Sequence, residues 1–165
     1  MFPIGPLPPR LTWIKAIVRL PPNDWRIAFE PKRVFNTEVA CLRERNLVFV
    51  VDDDAMMLKS VARLLRQLGY ESVLFPSAEA FANHSDFDGV ICVLLDIDLG
   101  DVSGIEVRHR LKEANISVPV IYITGNDSPA VRRAAHQSGC LAYLTKPFSA
   151  KSLMEPLQRA ATGLA

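Results

Sequence analysis

Long apolar runs are missing from this chain of 165 residues, although 49% of its residues are hydrophobic. A transmembrane helix needs roughly 18 consecutive apolar residues, and the apolar stretch over residues 11–20 is interrupted by Lys15 and Arg19. No uninterrupted apolar segment precedes a small-residue cleavage site, so the sequence does not indicate a secretory signal peptide. We therefore expect a water-soluble, cytoplasmic protein with no membrane partner.

Cysteine is also scarce, with Cys41, Cys92 and Cys140 scattered along the chain. Their number is odd, and they lack the close pairing that zinc sites and disulfide frameworks require. Cys92 lies within an apolar run, where a free cysteine behaves as a small buried hydrophobe. We therefore expect all three cysteines to be structural.

Proline is concentrated at one end, because seven of the twelve prolines lie within the first 31 residues. Both tryptophans lie there too. Residues 1–45 hold eight basic and four acidic side chains, whereas residues 46–165 hold eleven and fourteen. Such proline density is incompatible with a long helix or a central strand. We predict a basic, loosely ordered extension over residues 1–45, with a basic aromatic docking arm as the alternative, followed by a folded domain over residues 46–165.

From residue 47 onward, short apolar runs alternate with segments of helical periodicity. The runs predict five buried strands over Leu47–Val51, Glu71–Phe75, Val90–Leu95, Val118–Ile123 and Leu141–Leu144. Helices are predicted to follow them over Ala55–Leu68, Ser77–Asn83, Gly104–Ala114, Ser128–Ser138 and Ser149–Ala161. Because parallel strands need crossover connections, these five strand–helix units predict an α/β fold whose parallel sheet is covered on both faces.

Polar residues follow the predicted strands, at the edge where ligand sites form in parallel sheets. They are Asp52, Asp53 and Asp54 after the first strand, Asp96 after the third, Thr124 after the fourth, and Lys146 and Pro147 after the fifth. Each type is ordinary when taken alone, and Asp54 is best interpreted as a helix cap. Their joint occurrence at successive strand ends predicts that the side chains converge.

Convergence of Asp52, Asp53 and Asp96 has a chemical consequence. Three carboxylates within a few ångströms repel one another, which raises at least one pKa unless a cation enters. Hard carboxylate oxygens suit Mg²⁺, which also binds phosphate. Asp96 can then attack phosphorus as a nucleophile, while Lys146 and Thr124 bind phosphoryl oxygens. The pattern therefore predicts magnesium-dependent phosphoryl chemistry at Asp96.

Several segments together resemble the receiver domain of bacterial two-component response regulators. They are VFVVDDDAMMLKS, LGYESVLFPSAEAF, CVLLDIDLGDVSGIEV, PVIYITG and SGCLAYLTKPFSAKSL, in unbroken order over residues 47–160. The residues of these segments are most similar to those of receivers that elsewhere precede a LuxR-type helix-turn-helix. The resemblance implies a flavodoxin-like, doubly wound sheet of five strands in the order 2-1-3-4-5.

The resemblance also implies a phosphorylation site and a metal site. A sensor histidine kinase would phosphorylate Asp96. Asp53, Asp96 and the backbone carbonyl of Asp98 would bind Mg²⁺ directly, and Asp52 would bind it through water. Apart from its own phosphorylation and dephosphorylation, such a domain catalyses no reaction.

A conformational switch is implied by the same resemblance. Lys146 and Thr124 would bind the phosphoryl group, and the ring of Tyr143 would turn inward as Thr124 is drawn toward it. From spacing alone, Tyr143 could equally be a packed strand aromatic. The switch would remodel the face of the fourth helix, fifth strand and fifth helix, for a downstream protein or a second phosphorylated copy. Asp98 and Asn126 occupy positions where the family tunes phosphoryl lifetime.

Other features qualify the resemblance. Gly100 stands where the family usually has proline, which predicts a more mobile loop after the acceptor. The three histidines, His84, His109 and His136, are predicted to lie on surface-exposed helical segments without a role in phosphotransfer. The chain ends shortly after its last predicted helix, so we expect a stand-alone domain that contacts no nucleic acid directly.

Two alternatives stay open at this point. Asp96-Ile97-Asp98 after an apolar strand also resembles the signature of haloacid-dehalogenase-like phosphohydrolases, which would make the protein an enzyme. That family needs its aspartate pair on the first strand and further acids after the lysine, whereas only Glu155 follows Lys146 here. The second alternative is a pseudo-receiver, an interaction module that keeps the fold without carrying phosphate.

Overall fold

A computed structural model describes residues 46–100 and 102–163. Its main sheet contains five parallel strands, which are β1 (Leu47–Val51), β2 (Glu71–Phe75), β3 (Val90–Asp96), β6 (Val120–Thr124) and β7 (Ala142–Thr145). A separate antiparallel pair is formed by β4 (Asp98–Leu99) and β5 (Val102–Ser103). The main sheet has the order β2-β1-β3-β6-β7, which confirms the predicted order 2-1-3-4-5 when the strands of the short pair are not counted.

Five helices connect or follow the strands of the main sheet. They are α1 (Ala55–Gln67), α2 (Ala78–Ala82), α3 (Gly104–Glu113), α4 (Pro129–Gln137) and α5 (Ala150–Ala161). The predicted caps are present: the Asp54 carboxylate accepts hydrogen bonds from the Met56 and Met57 amides, and Ser77 accepts one from Ala80. Such caps satisfy amide groups that have no partner within the helix.

Alternation along the strands divides the core into two layers. Val48 and Val50 face one side of the sheet, where they pack with residues of α1 and α5, such as Leu65 and Leu157. Phe49 and Val51 face the other side, toward α2, α3 and α4. The strand period of two therefore supplies apolar residues to both faces, as a doubly covered parallel sheet requires.

The fourth strand of the main sheet begins later than predicted. It was predicted from Val118, but β6 begins at Val120 and ends at Thr124. Pro119 has no amide hydrogen to donate, and its carbonyl accepts a hydrogen bond from Val93, 2.9 Å from the nitrogen, before the strand begins. The third strand likewise runs one residue further than predicted and includes Asp96.

Some predictions concern residues outside the described part of the chain. The extension over residues 1–45 and Cys41 lie there, so the structure says nothing about them. Within residues 46–100 and 102–163, no helix has both the length and the apolarity needed to cross a membrane.

Candidate functional site

Three carboxylates meet at the carboxyl edge of the sheet, as predicted. One oxygen from each of Asp52, Asp53 and Asp96 lies within 4.8 Å of the others. Asp52 is 0% exposed and Asp96 3%, whereas Asp53 is exposed to solvent. The strands explain the meeting, because β1 and β3 are paired up to Val51 and Leu95, so the residues that follow are neighbours.

Lys146 joins the two buried carboxylates. Its Nζ donates to Asp52 Oδ2 at 2.8 Å and to Asp96 Oδ2 at 2.6 Å, and it lies 94 and 50 residues away from them in sequence. The other oxygen of each carboxylate accepts a backbone amide, from Asp54 for Asp52 and from Asp98 for Asp96. The lysine and these amides satisfy charges whose burial would otherwise be costly.

The pKa values of Asp96 and Lys146 are both raised. Burial raises the pKa of Asp96, and the hydrogen bonds from Lys146 and the Asp98 amide only partly oppose it. Burial of the ammonium lowers the pKa of Lys146, but its bonds to Asp52 and Asp96 outweigh burial and raise it. A positive lysine is thus held beside a carboxylate that the protein keeps poorly solvated.

Thr124 lies at the same edge of the sheet, but its hydroxyl bonds to a carboxylate outside the cluster of Asp52, Asp53 and Asp96. Its hydroxyl is completely buried and lies 3.1 Å from Asp98 Oδ2, to which it donates a hydrogen bond. The hydroxyl oxygen of Thr124 also accepts a hydrogen bond from the amide of Asn126 at 3.0 Å. The side chain of Asn126 itself is exposed. The structure therefore brings Thr124 to the site and shows that its partner there is Asp98.

The loop after Asp96 is folded back on itself. Asp98 pairs with Ser103 and Leu99 with Val102, and Gly100, which begins the turn between them, has a φ of +75°. Proline cannot adopt this φ, because its ring holds φ near −65°. Glycine therefore suits the backbone conformation at residue 100, and the greater mobility of this loop stays a prediction.

Gly104 brings the following helix against the backbone of Asp96. A Cβ atom at this residue would lie 2.1 Å from the backbone oxygen of Asp96, so only glycine fits. The amide of Gly104 donates to the carbonyl of Ile97 at 2.9 Å. Sequence analysis recognised Gly104 only as a helix start, because nothing in the local pattern shows that α3 begins against β3.

Tyr143 lies on β7, and its half-buried side chain contacts the loop before α4, a position that we call outward. Its hydroxyl donates to Asp127 Oδ1 at 3.2 Å, and Asp127 is also paired with Arg132. Burial, followed by the hydrogen bond to Asp127, raises the pKa of the tyrosine. Asp127 and Arg132 were not among the predicted site residues, although an acid five residues before a base at a predicted helix start was a visible signal.

The histidines follow the prediction only in part. His109 and His136 are exposed on helices. The surface helical position predicted for His84 is wrong, since this residue follows α2 and is half-buried. Its ring lies 5.0 Å from that of Phe49 and 5.3 Å from that of Phe75. The short α2 brings it onto a cluster of phenylalanine side chains, which helical periodicity does not reveal.

The fold and the site agree with a family match. The family model described as "Response regulator receiver domain" matches residues 48–158, which is most of the chain and all of the described site. This chain belongs to the response regulator receiver family. As a receiver, it is a signalling domain of two-component systems rather than an enzyme with an external substrate.

Curated relatives of this receiver include a protein named as a response regulator. It is 30% identical over 140 residues to the response regulator protein TodT of Pseudomonas putida, covering 84% of this chain and 62% of TodT. It is 35% identical over 109 residues to nodulation protein W of Bradyrhizobium diazoefficiens, covering 66% of this chain and 48% of that protein. The chain thus spans about half to three fifths of these relatives.

Solved receivers have the same architecture. The structure titled FixJ-N is 31% identical, has a TM-score of 0.66, and is matched over 72% of this chain and 95% of its own. The beryllofluoride-activated DrrB receiver domain is also 31% identical, with a TM-score of 0.63 and coverage of 70% and 97%. The flavodoxin-like fold implied by the resemblance is confirmed, whereas the closeness to LuxR-type receivers stays a prediction.

Proposed function

We propose that this receiver accepts a phosphoryl group from a histidine kinase onto Asp96, in the presence of Mg²⁺, and signals through a change of shape. The observation that carries the proposal is the position of Lys146, whose ammonium bridges Asp52 and Asp96. A cation placed against the acceptor can pair with an oxygen of the incoming phosphoryl group. The family match favours a receiver over the haloacid-dehalogenase alternative.

The carboxylate cluster fits a divalent metal ion. Asp52, Asp53 and Asp96 carry three negative charges when ionised, and Lys146 balances one of them. The three carboxylates each offer an oxygen within 4.8 Å of the others, and such hard oxygens are the ligands that Mg²⁺ prefers. We assign Asp53, Asp96 and the carbonyl of Asp98 as direct ligands and Asp52 as a ligand through water. Bound Mg²⁺ would neutralise charge on the transferring oxygens.

The transfer step needs few protein groups. An oxygen of Asp96 attacks the phosphorus of a phosphohistidine, the phosphorus–nitrogen bond breaks, and its electron pair returns to the imidazole. Lys146 exchanges part of its contact with Asp96 for a phosphoryl oxygen, and the Thr124 hydroxyl binds another. Gly125 leaves the approach open, because a Cβ there would meet nothing within 4 Å.

The phosphoryl group would act on the rest of the domain through Thr124 and Tyr143. In the proposed switch, Thr124 leaves Asp98 for the phosphoryl group and Tyr143 turns inward from α4. The face of α4, β7 and α5 would then bind a downstream protein or a second copy. Asp98 and Asn126, both exposed beside the site, are assigned to the control of phosphoryl lifetime. We propose that the reaction takes place in the cytoplasm, as the membership of the receiver family suggests.

Intact mass spectrometry after incubation with acetyl phosphate and Mg²⁺ tests the proposal. We expect the wild-type protein to gain one phosphoryl group and Asp96→Ala to gain none. Asp88→Ala is a matched control, because it removes an exposed carboxylate in the loop before β3. No gain in the wild type would favour the pseudo-receiver, and an equal gain in Asp96→Ala would show that Asp96 is not the acceptor.

A further inference from the structure

Tyr143 is held by a cluster of side chains that the proposed phosphorylation does not require. Asp127, in the loop before α4, accepts hydrogen bonds from the Tyr143 hydroxyl and from two nitrogens of Arg132. The guanidinium carbon of Arg132 lies 5.0 Å from the centre of the Tyr143 ring. Asp127 and Arg132 therefore contact each other, and they also contact the tyrosine: Asp127 its hydroxyl and Arg132 its ring.

The cluster is built from one face of α4. Arg132 and His136 are four residues apart, which places them on the same side of a helix. The His136 ring lies 6.2 Å from the Tyr143 ring and is tilted 30° from it. The helix therefore presents a cation and an aromatic ring to the tyrosine, while the loop before it supplies the carboxylate. Together these contacts hold the Tyr143 side chain against α4 and the loop before it.

The sheet register relates Tyr143 to Thr124, the other residue of the proposed switch. Tyr143 is paired with Tyr122, and Thr124 is paired with Thr145, two residues further along β7. The Thr124 hydroxyl donates to Asp98 and the Tyr143 hydroxyl donates to Asp127. Both side chains that the proposed switch would move are thus bonded to carboxylates other than Asp96.

We propose that Asp127 and Arg132 form a latch that holds Tyr143 in its outward position and so sets how readily the domain changes shape. This proposal rests on the proposed function, because the latch opposes the inward position of Tyr143, which phosphorylation would favour. Asp127 and Arg132 are positioning residues, because they act through Tyr143 and not on the phosphoryl group.

The latch is weak enough to be overcome. The side chains of Arg132 and Asp127 are 51% and 37% exposed, and ion pairs at such sites contribute little and are screened by salt. The Asp127–Arg132 ion pair and the contact between Arg132 and the ring should together change the ratio of outward to inward Tyr143 by about three- to tenfold. A bias of this size favours one state without preventing the transition.

The position of Tyr143 can be followed by fluorine NMR of protein labelled with 3-fluorotyrosine. The chain has three tyrosines, Tyr70, Tyr122 and Tyr143, so Tyr143→Phe assigns the signal. The wild type is measured with and without beryllofluoride and Mg²⁺, which define the two end positions. Asp127→Ala and Arg132→Gln are then measured without beryllofluoride.

We expect both variants to move the Tyr143 signal part of the way toward the beryllofluoride position. Arg132→Lys should restore much of the wild-type position at low salt and lose it at high salt, because it keeps the charge without the two-pronged hydrogen bond. Glu106→Gln breaks another exposed pair, Glu106 with Arg110, and should leave the signal in place.

Each outcome bears on one proposal. If the wild-type signal responds to beryllofluoride but is unmoved in Asp127→Ala and Arg132→Gln, the latch is wrong and the proposed function stands. A wild-type signal that ignores beryllofluoride and Mg²⁺ counts against the proposed function. If the two variants still move the signal in that case, Asp127 and Arg132 position Tyr143 without any link to phosphorylation, which overturns the proposal as stated.

Discussion

The hydroxyl of Thr124 donates a hydrogen bond to the carboxylate of Asp98, with 3.1 Å between the two oxygens. Thr124 is completely buried, whereas Asp98 is exposed. The group that we propose to bind a phosphoryl oxygen therefore already has a charged acceptor. In the proposed function, phosphorylation would replace that acceptor, so Asp98 would compete with the phosphoryl group for Thr124.

Removing this competition should strengthen the binding of a phosphoryl mimic. We expect Asp98→Ala to bind beryllofluoride with Mg²⁺ about tenfold more tightly, because a hydrogen bond to a charged group is lost only from the unbound state. Removal of the Asp98 charge beside the anion acts in the same direction. Isothermal titration measures the affinity, and Asp98→Asn, which keeps an oxygen acceptor, should lie between the two. Weaker binding by Asp98→Ala would contradict the competition.

Mg²⁺ should stabilise the folded protein through the carboxylate cluster. At a concentration ten times its dissociation constant, a ligand that binds only the folded state adds about 1.4 kcal/mol to the free energy of unfolding. We expect a higher melting temperature with Mg²⁺ and no such increase in Asp53→Asn, whose exposed side chain is not part of the core. Thermal unfolding followed by circular dichroism measures both. An equal increase in Asp53→Asn would remove Asp53 from the site.

Loss of Lys146 should make stability depend on pH. Without its ammonium, Asp52 and Asp96 lie buried beside each other, and we expect Lys146→Met to lower the free energy of unfolding by about 2–3 kcal/mol at neutral pH without Mg²⁺. The folded-state pKa of Asp96 is already raised by burial and would rise further. A carboxyl whose folded pKa exceeds its unfolded value destabilises the protein when ionised, so the loss should shrink as pH falls through that folded pKa.

Urea unfolding of the wild type and Lys146→Met over a range of pH measures this effect. Lys151→Met is a suitable control, because Lys151 is exposed on α5. A loss of stability in Lys146→Met that is equal at acidic and neutral pH would mean that packing, rather than charge, is responsible.

Gly104→Ala should disturb the acceptor strand. Its Cβ would lie 2.1 Å from the Asp96 backbone oxygen, so either β3 or α3 must move, at a cost of about 1–3 kcal/mol in the free energy of unfolding. Gly125→Ala is the matched control, since a Cβ there meets nothing within 4 Å, and it should change stability by less than about 0.5 kcal/mol. Chemical denaturation compares the two variants. Equal stability of both would show that the contact at Gly104 relaxes freely.

Much of the fold was predictable because its signals are local. Runs such as Leu47–Val51 are apolar on both faces of a strand, and Asp54 and Ser77 stand where helices need caps. Parallel strands also have to place their carboxyl ends at one edge. That rule places Asp52 and Asp96 at the same edge, although 44 residues separate them in the sequence.

The sequence by itself thus determined the strands, the helices and which carboxylates share an edge, since these follow from periodicity, capping and chain direction. Only the tertiary structure decided the hydrogen-bond partners: Asp98 for Thr124, across 26 residues, and Asp127 for Tyr143, across 16. It also decided that residue 104 must be glycine. These outcomes depend on how closely helices and loops approach the sheet, and packing at that scale leaves no periodic signal in the chain.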